Sequence, residues 1–72
     1  MAFQPTLAVD AMGGDHGPAV VLAGAEIARV RQPNLRFLFF GRDSAMAPVM
    51  AQYPRLQASS TLVHTEEKVE AT

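Results

Sequence analysis

The sequence contains no cysteine, which removes disulfides, thiolate metal sites and thiol nucleophiles from consideration. It has no strictly apolar run near the ~20 residues that a membrane span needs. Neither sign of charge dominates, since six basic and seven acidic side chains leave a formal net charge of −1. The basic residues are scattered as Arg29, Arg31, Arg36, Arg42, Arg55 and Lys68. No field gathers nucleic acid, and none is expected as a partner. The N-terminus has neither the basic n-region nor the long apolar core of a signal peptide. A soluble cytoplasmic protein is the expectation. No internal repeat and no low-complexity segment interrupts the chain.

What is present is the composition of a globular protein: 49% apolar and 18% charged residues. Seventy-two residues make one small domain, and a chain of this size buries only ~60% of its unfolded surface. Stability as a lone monomer is therefore marginal. The chain ends just after a third predicted strand, with no helix to close it, and so looks cut.

Thr6 to Ala11 is mostly apolar and reads as a strand covered on both faces. Met12 to Gly17 is a turn, and Pro18 suits a first helical position, where its missing N–H costs nothing. Val20, Ala23, Gly24, Ile27 and Val30 then recur at helical spacing, with Glu26, Arg29 and Gln32 largely off that stripe. Pro33-Asn34 stops the helix. Arg36 to Phe40 is aromatic, continuous and short, and Gly41 ends it, which predicts a second strand. Asp43 or Ser44 can cap a second helix carrying Met46, Val49, Met50 and Tyr53. Pro48 requires that this helix start late or have an irregular first turn, and Pro54 ends it. Ser60 to His64 reads as a third strand, followed by a polar, acidic tail. Alternating strands and helices imply a parallel sheet with right-handed crossovers. The predicted fold class is α/β: a Rossmann-like parallel β-α-β-α-β unit, the N-terminal part of a larger three-layer α/β/α fold.

Chemistry concentrates between Leu7 and Val21, LAVDAMGGDHGPAVV. A strand, a glycine-rich turn and a helix N-terminus make an anion site, because helix-start N–H groups lack intrahelical partners and carry partial positive charge. Gly13, Gly14 and Gly17 are candidates for phosphate or oxyanion binding, and a tight turn that binds nothing is the alternative. Neither a dinucleotide fingerprint nor a P-loop is present. Asp10 and His16 are the candidate catalytic residues. Asp10 ends a buried-looking strand and must find backbone donors, a cation or a polar ligand group, or else it only ties down the turn. Asp15 can cap the following helix, and its charge would repel phosphate, so capping is preferred. His16 can pair with phosphate or shuttle a proton, or be a plain loop histidine. His64 falls at the end of the third strand with nothing to pair it with His16. Two histidines so far apart are not a metal motif, and no metal or cofactor is expected. The tail TEEKVE reads as a solvated charge run.

The segment VDAMGGDHGP resembles the N-terminal signature of the PlsX family, the bacterial acyl-ACP:phosphate acyltransferases of phospholipid synthesis. FLFFGR and LVHTEE fall where that family places its second and third strands. The resemblance implies transfer of a fatty acyl group from the thioester of acyl carrier protein to inorganic phosphate. It also implies a homodimer and peripheral association with a membrane acyltransferase at the inner membrane face. Three other readings stay open: a decarboxylating dehydrogenase, a phosphotransacetylase-like transfer from coenzyme A, and a non-catalytic phosphate-binding module. The resemblance also implies that residues 1–72 are the N-terminal portion of a single larger phosphate acyltransferase domain, and the 72-residue piece alone is expected to be inactive.

Overall fold

The computed structural model describes residues 4–12 and 17–65. Its elements follow in the order β1 (Thr6–Asp10), α1 (Gly17–Arg31), β2 (Arg36–Gly41), α2 (Asp43–Met50), α3 (Pro54–Ala58) and β3 (Ser60–His64). The strands form one parallel sheet in the order β1-β2-β3. Thr6 stands beside Arg36 at one end and Gly41 beside His64 at the other. This is the β-α-β-α-β unit expected of the pattern, with β2 and β3 on their predicted bounds. Among the described residues no helix is long and apolar enough to cross a membrane.

Side chains alternate across a strand, and β2 shows which face is covered. Phe37, Phe39 and Gly41 are buried, while Arg36, Leu38 and Phe40 are only half-buried. The two rings stack with centroids 5.6 Å apart and planes 3° from parallel. Leu22 and Ala25 of α1, Met46 and Met50 of α2 and Leu56 of α3 pack in one cluster with Phe37 and Phe39. Every helix therefore lies on the same side of the sheet. Two crossovers of one hand give this arrangement when strands are added in one direction. The register groups Ala8, Leu38 and Thr61, then Asp10, Phe40 and Val63, on the opposite side, which no described element covers. β1 is correspondingly exposed at four of its five residues, against the expectation of a strand covered on both faces.

The apolar stripe expected on α1 is also not the buried one. Leu22 and Ala25 face the core, whereas Val20, Ile27 and Val30 are 55%, 59% and 60% exposed. The helix is apolar nearly all round, so spacing alone left two faces to choose from, and contact with α2 and α3 selects the other. On the inner side Arg29 grips Glu26 with two hydrogen bonds, Nε to Oε1 at 2.9 Å and Nη2 to Oε2 at 2.8 Å. The hydrogen bond from Arg29 first, and the charges of Arg29 and Arg55 after it, hold the Glu26 carboxyl below the ordinary glutamate value of 4.5. A carboxylate depressed on folding contributes stability above its unfolded pKa and loses it as pH falls through the folded one. Wild-type chain should therefore melt slightly above Glu26→Gln at neutral pH, with the difference closing as the pH drops below 4.5. Thermal midpoints taken from neutral to strongly acid pH check this. A difference independent of pH would assign the effect to packing.

The second crossover departs from expectation in two ways. α2 begins at Asp43 after Arg42, with no side-chain cap from Arg42 and with Pro48 inside the helix. Arginine has no acceptor to offer a helix start, so neither Asp43 nor Ser44 is the cap residue. Pro48 removes one backbone bond, but Ser44, whose carbonyl loses that donor, is exposed to water. Pro54 does not merely end a helix. It occupies the first position of α3, after Tyr53 held at φ −130° and ψ 72°, outside the helical region that proline disfavours in its predecessor.

Candidate functional site

Ligands of open parallel sheets bind beyond the carboxyl ends of the strands, and here those ends are Asp10, Gly41 and His64. Neighbouring strands lie ~4.8 Å apart, so β2 separates the Asp10 and His64 backbones by roughly two such spacings. The sheet does not bring those two residues together.

Asp10 is exposed, which corrects the expectation of a buried carboxylate: among the described residues the strand that ends in it is the edge of the sheet. Its Oδ1 accepts a hydrogen bond from the Met12 backbone N–H at 3.0 Å, closing a turn of the kind aspartate favours. The Ala11 N–H donates to the Phe40 carbonyl at 2.9 Å, and Ala11 is fully buried. The chain leaves β1 from a fixed point. Gly13, Gly14, Asp15 and His16 lie outside the described residues, as does the charged tail beyond Thr65.

The chain is described again at Gly17, whose φ of +71° is a conformation open to glycine at little cost. A Cβ there would meet nothing within 4 Å, so it is the backbone, not crowding, that favours glycine. Gly17 thus has a structural reason to be there apart from any ligand. Pro18 follows, and no acidic side chain stands in the first turn of α1. The N–H groups of Gly17 and Ala19 have no carbonyl one turn earlier within the helix to bond, and Ala19 is exposed. These donors, with the partial positive charge of the helix start, suit an oxyanion or phosphate.

The start of α2 is already taken. Asp43 occupies its first turn, and its N–H donates to His64 Nδ1 at 3.1 Å. The Asp43 Oδ1 lies 3.8 Å from the same nitrogen. His64 therefore supplies, from β3, the acceptor that Arg42 lacks. This role was invisible in the sequence because it joins residues on separate elements. Gly41 is a second residue that sequence reasoning passed over except as a strand end. Its open side is filled by Met12, whose Cγ would stand 2.7 Å from a Cβ at position 41. Among the described residues no group of three or more histidine, aspartate and glutamate side chains is placed to hold a metal ion.

The profile of the fatty acid synthesis protein family matches residues 5–72. The chain is 55% identical over 66 residues to a phosphate acyltransferase of Azorhizobium caulinodans, covering 92% of this chain and 19% of that protein. It is 51% identical over 69 residues to a phosphate acyltransferase of Rhodospirillum centenum, covering 96% and 19%. A third, from Parvibaculum lavamentivorans, is 45% identical over 64 residues, covering 89% and 18%. The chain spans about a fifth of the length of these curated relatives.

Proposed function

Since the chain belongs to the fatty acid synthesis protein family, we propose that it is the N-terminal portion of a single phosphate acyltransferase domain. The reaction is transfer of an acyl group from the thioester of acyl carrier protein to inorganic phosphate. A phosphate oxygen attacks the thioester carbonyl carbon, the carbon–sulfur bond breaks, and acyl phosphate and the free carrier thiol leave. No covalent enzyme intermediate is needed. The chemistry asks for a held phosphate, donors for the developing oxyanion, and a site that excludes water from the product.

The observation that carries this reading is the route of the chain out of β1. A carboxylate-tied turn at the carboxyl end of the sheet leads, through Gly13 and Gly14, to a helix start free of acidic side chains in its first turn. Relatives that share 45–55% of these residues are named phosphate acyltransferases, which supports phosphate as the anion. In this reading Gly13, Gly14 and Gly17 bring backbone N–H groups to phosphate or to the oxyanion. Asp10 holds the turn and orients the bound group, and His16 assists in orientation. Acyl carrier protein is the acyl donor, the protein acts as a homodimer in the cytoplasm, and it meets a membrane acyltransferase peripherally.

The test is acyl-phosphate formation by the full-length protein that carries this chain, supplied with phosphate and either acyl carrier protein or coenzyme A thioesters. Preference for the carrier-protein thioester is expected. Preference for coenzyme A would place the protein with phosphotransacetylase-like enzymes, and phosphate binding with no turnover would make it a binding module. Asp10→Asn adds a second measurement. Asparagine keeps an acceptor for the Met12 N–H but removes the charge, so the thermal midpoint should stay near wild type while turnover falls at least tenfold. His16→Gln should cost less than about tenfold, since orientation is its only share. Wild-type turnover in Asp10→Asn would confine Asp10 to the turn.

A further inference from the structure

We propose that the start of α2 changes partner when His64 is protonated: the neutral ring holds the Asp43 N–H, and the charged ring releases it and takes the Asp43 carboxylate instead. The first turn of a helix has N–H groups with no carbonyl behind them. In α2 the Arg42 carbonyl takes the N–H groups of Ala45 and Met46, each at 3.0 Å. The Asp43 N–H has no such carbonyl and donates to His64 Nδ1 at 3.1 Å. A ring nitrogen that accepts a hydrogen bond carries no proton, and a neutral imidazole then has its proton on the other nitrogen. Nδ1 is bare in this arrangement, and Nε2 is protonated. Adding a proton makes both nitrogens donors, so the cap is lost.

The replacement partner is already in place. Asp43 Oδ1 lies 3.8 Å from the same Nδ1, an acceptor for the donor that the neutral ring lacks. The strand end does not have to move. Gly41 pairs with His64 in the sheet, and its carbonyl accepts the Thr65 N–H at 2.9 Å. The side chains of His64 and Asp43 are 43% and 61% exposed, so water can deliver the proton. Three elements pack against β3. From α2 the charged neighbour is Asp43, with Arg42 next to it in the chain. In β2 the residue beside His64 is Gly41, and Arg36 stands at the far end of that strand. The charge of α3 is Arg55, whose carbonyl bonds Ser59, roughly 13 Å of strand away from His64 at ~3.3 Å per residue. Glu66 and Glu67 follow Thr65 in the chain, outside the described residues.

The experiment reads hydrogen exchange at the Asp43 amide in the full-length protein that carries this chain, from about pH 8 to about pH 5, where histidine changes charge. Wild type is compared with His64→Phe at each pH, which cancels the intrinsic pH dependence of exchange. At the upper end wild type should exchange about fivefold more slowly, the usual worth of a helix cap, and at the lower end the two should agree within about twofold. A lead that is constant over the interval, or absent throughout, overturns the proposal. His64→Asn places a side-chain oxygen that does not titrate near the position of Nδ1, and it keeps the test decisive if phenylalanine unfolds the protein. Its Asp43 protection should stay constant where that of wild type falls. A parallel fall would trace the change to another group and overturn the role of His64. Asp43→Asn tests the second partner: without the carboxylate the charged ring loses its acceptor, so the fall should move to lower pH. An unmoved fall overturns the exchange of partners. None of these readings depends on acyltransferase activity.

Discussion

Phe39→Ala is expected to leave the 72-residue chain largely unfolded at room temperature. Phe39 is fully buried at the middle of the central strand, stacked on Phe37, with Val9 and Leu62 beside it in register. Truncating a buried phenylalanine costs ~3–5 kcal/mol, the lost transfer energy plus the cavity left behind. A small chain with marginal stability sits at the low end of the native range, roughly 0.05 kcal/mol per residue, and 72 residues at that rate have about as much as that to lose. Phe40→Ala makes the comparison. Phe40 is the next residue but points to the uncovered face and is only half-buried, so its truncation should cost clearly less. Urea midpoints followed by circular dichroism give both values. Equal losses would mean that both faces of β2 are packed alike, against the one-sided helical layer described here.

Gly14→Val in the full-length protein should reduce acyl-phosphate formation by ~10²–10³, the usual cost of losing one oxyanion or phosphate donor. The expectation follows from the proposed role of the segment between the Asp10 turn and the start of α1. A β-branched side chain both fills the space a ligand would use and stiffens the turn. The thermal midpoint must be measured beside the rate, since valine could instead unfold the turn. Unchanged kinetics would reduce the glycines to architecture. A lost rate with a preserved midpoint would give them the ligand.

Some of this molecule was legible from its residues and some was not, for physical reasons. β2 and β3 were readable because aromatic and β-branched runs bounded by glycine and polar residues leave few alternatives. The Asp10 turn was readable because aspartate bonds backbone N–H groups near its own position. The buried face of α1 was not, because a helix with apolar residues on both sides carries no periodic signal strong enough to choose between them. Pro54 was read as a stop, although proline favours a helix start as strongly as it disfavours an interior. The contacts of His64 with Asp43 and of Met12 with Gly41 join separate elements. No local pattern could announce them. The candidate site is legible in a narrower sense, as a turn chemistry and a helix start, with Gly13, Gly14 and His16 outside the described residues.

Among the described residues β1 pairs with β2 along one side only, so its other side offers a row of N–H and C=O groups for a further strand. A parallel strand added there would make the sheet grow outward from β1 in both directions, with the next crossover obliged to pass over the opposite face. β1 would then be the strand from which successive connections diverge, and a crevice opens at the carboxyl end of such a strand because the loops on either side turn away from each other. That crevice would fall at Asp10 and the turn that follows it. In that geometry the crevice would have α1 and its neighbours on one side, and the opposite wall would come from a strand paired outside β1 and its crossover.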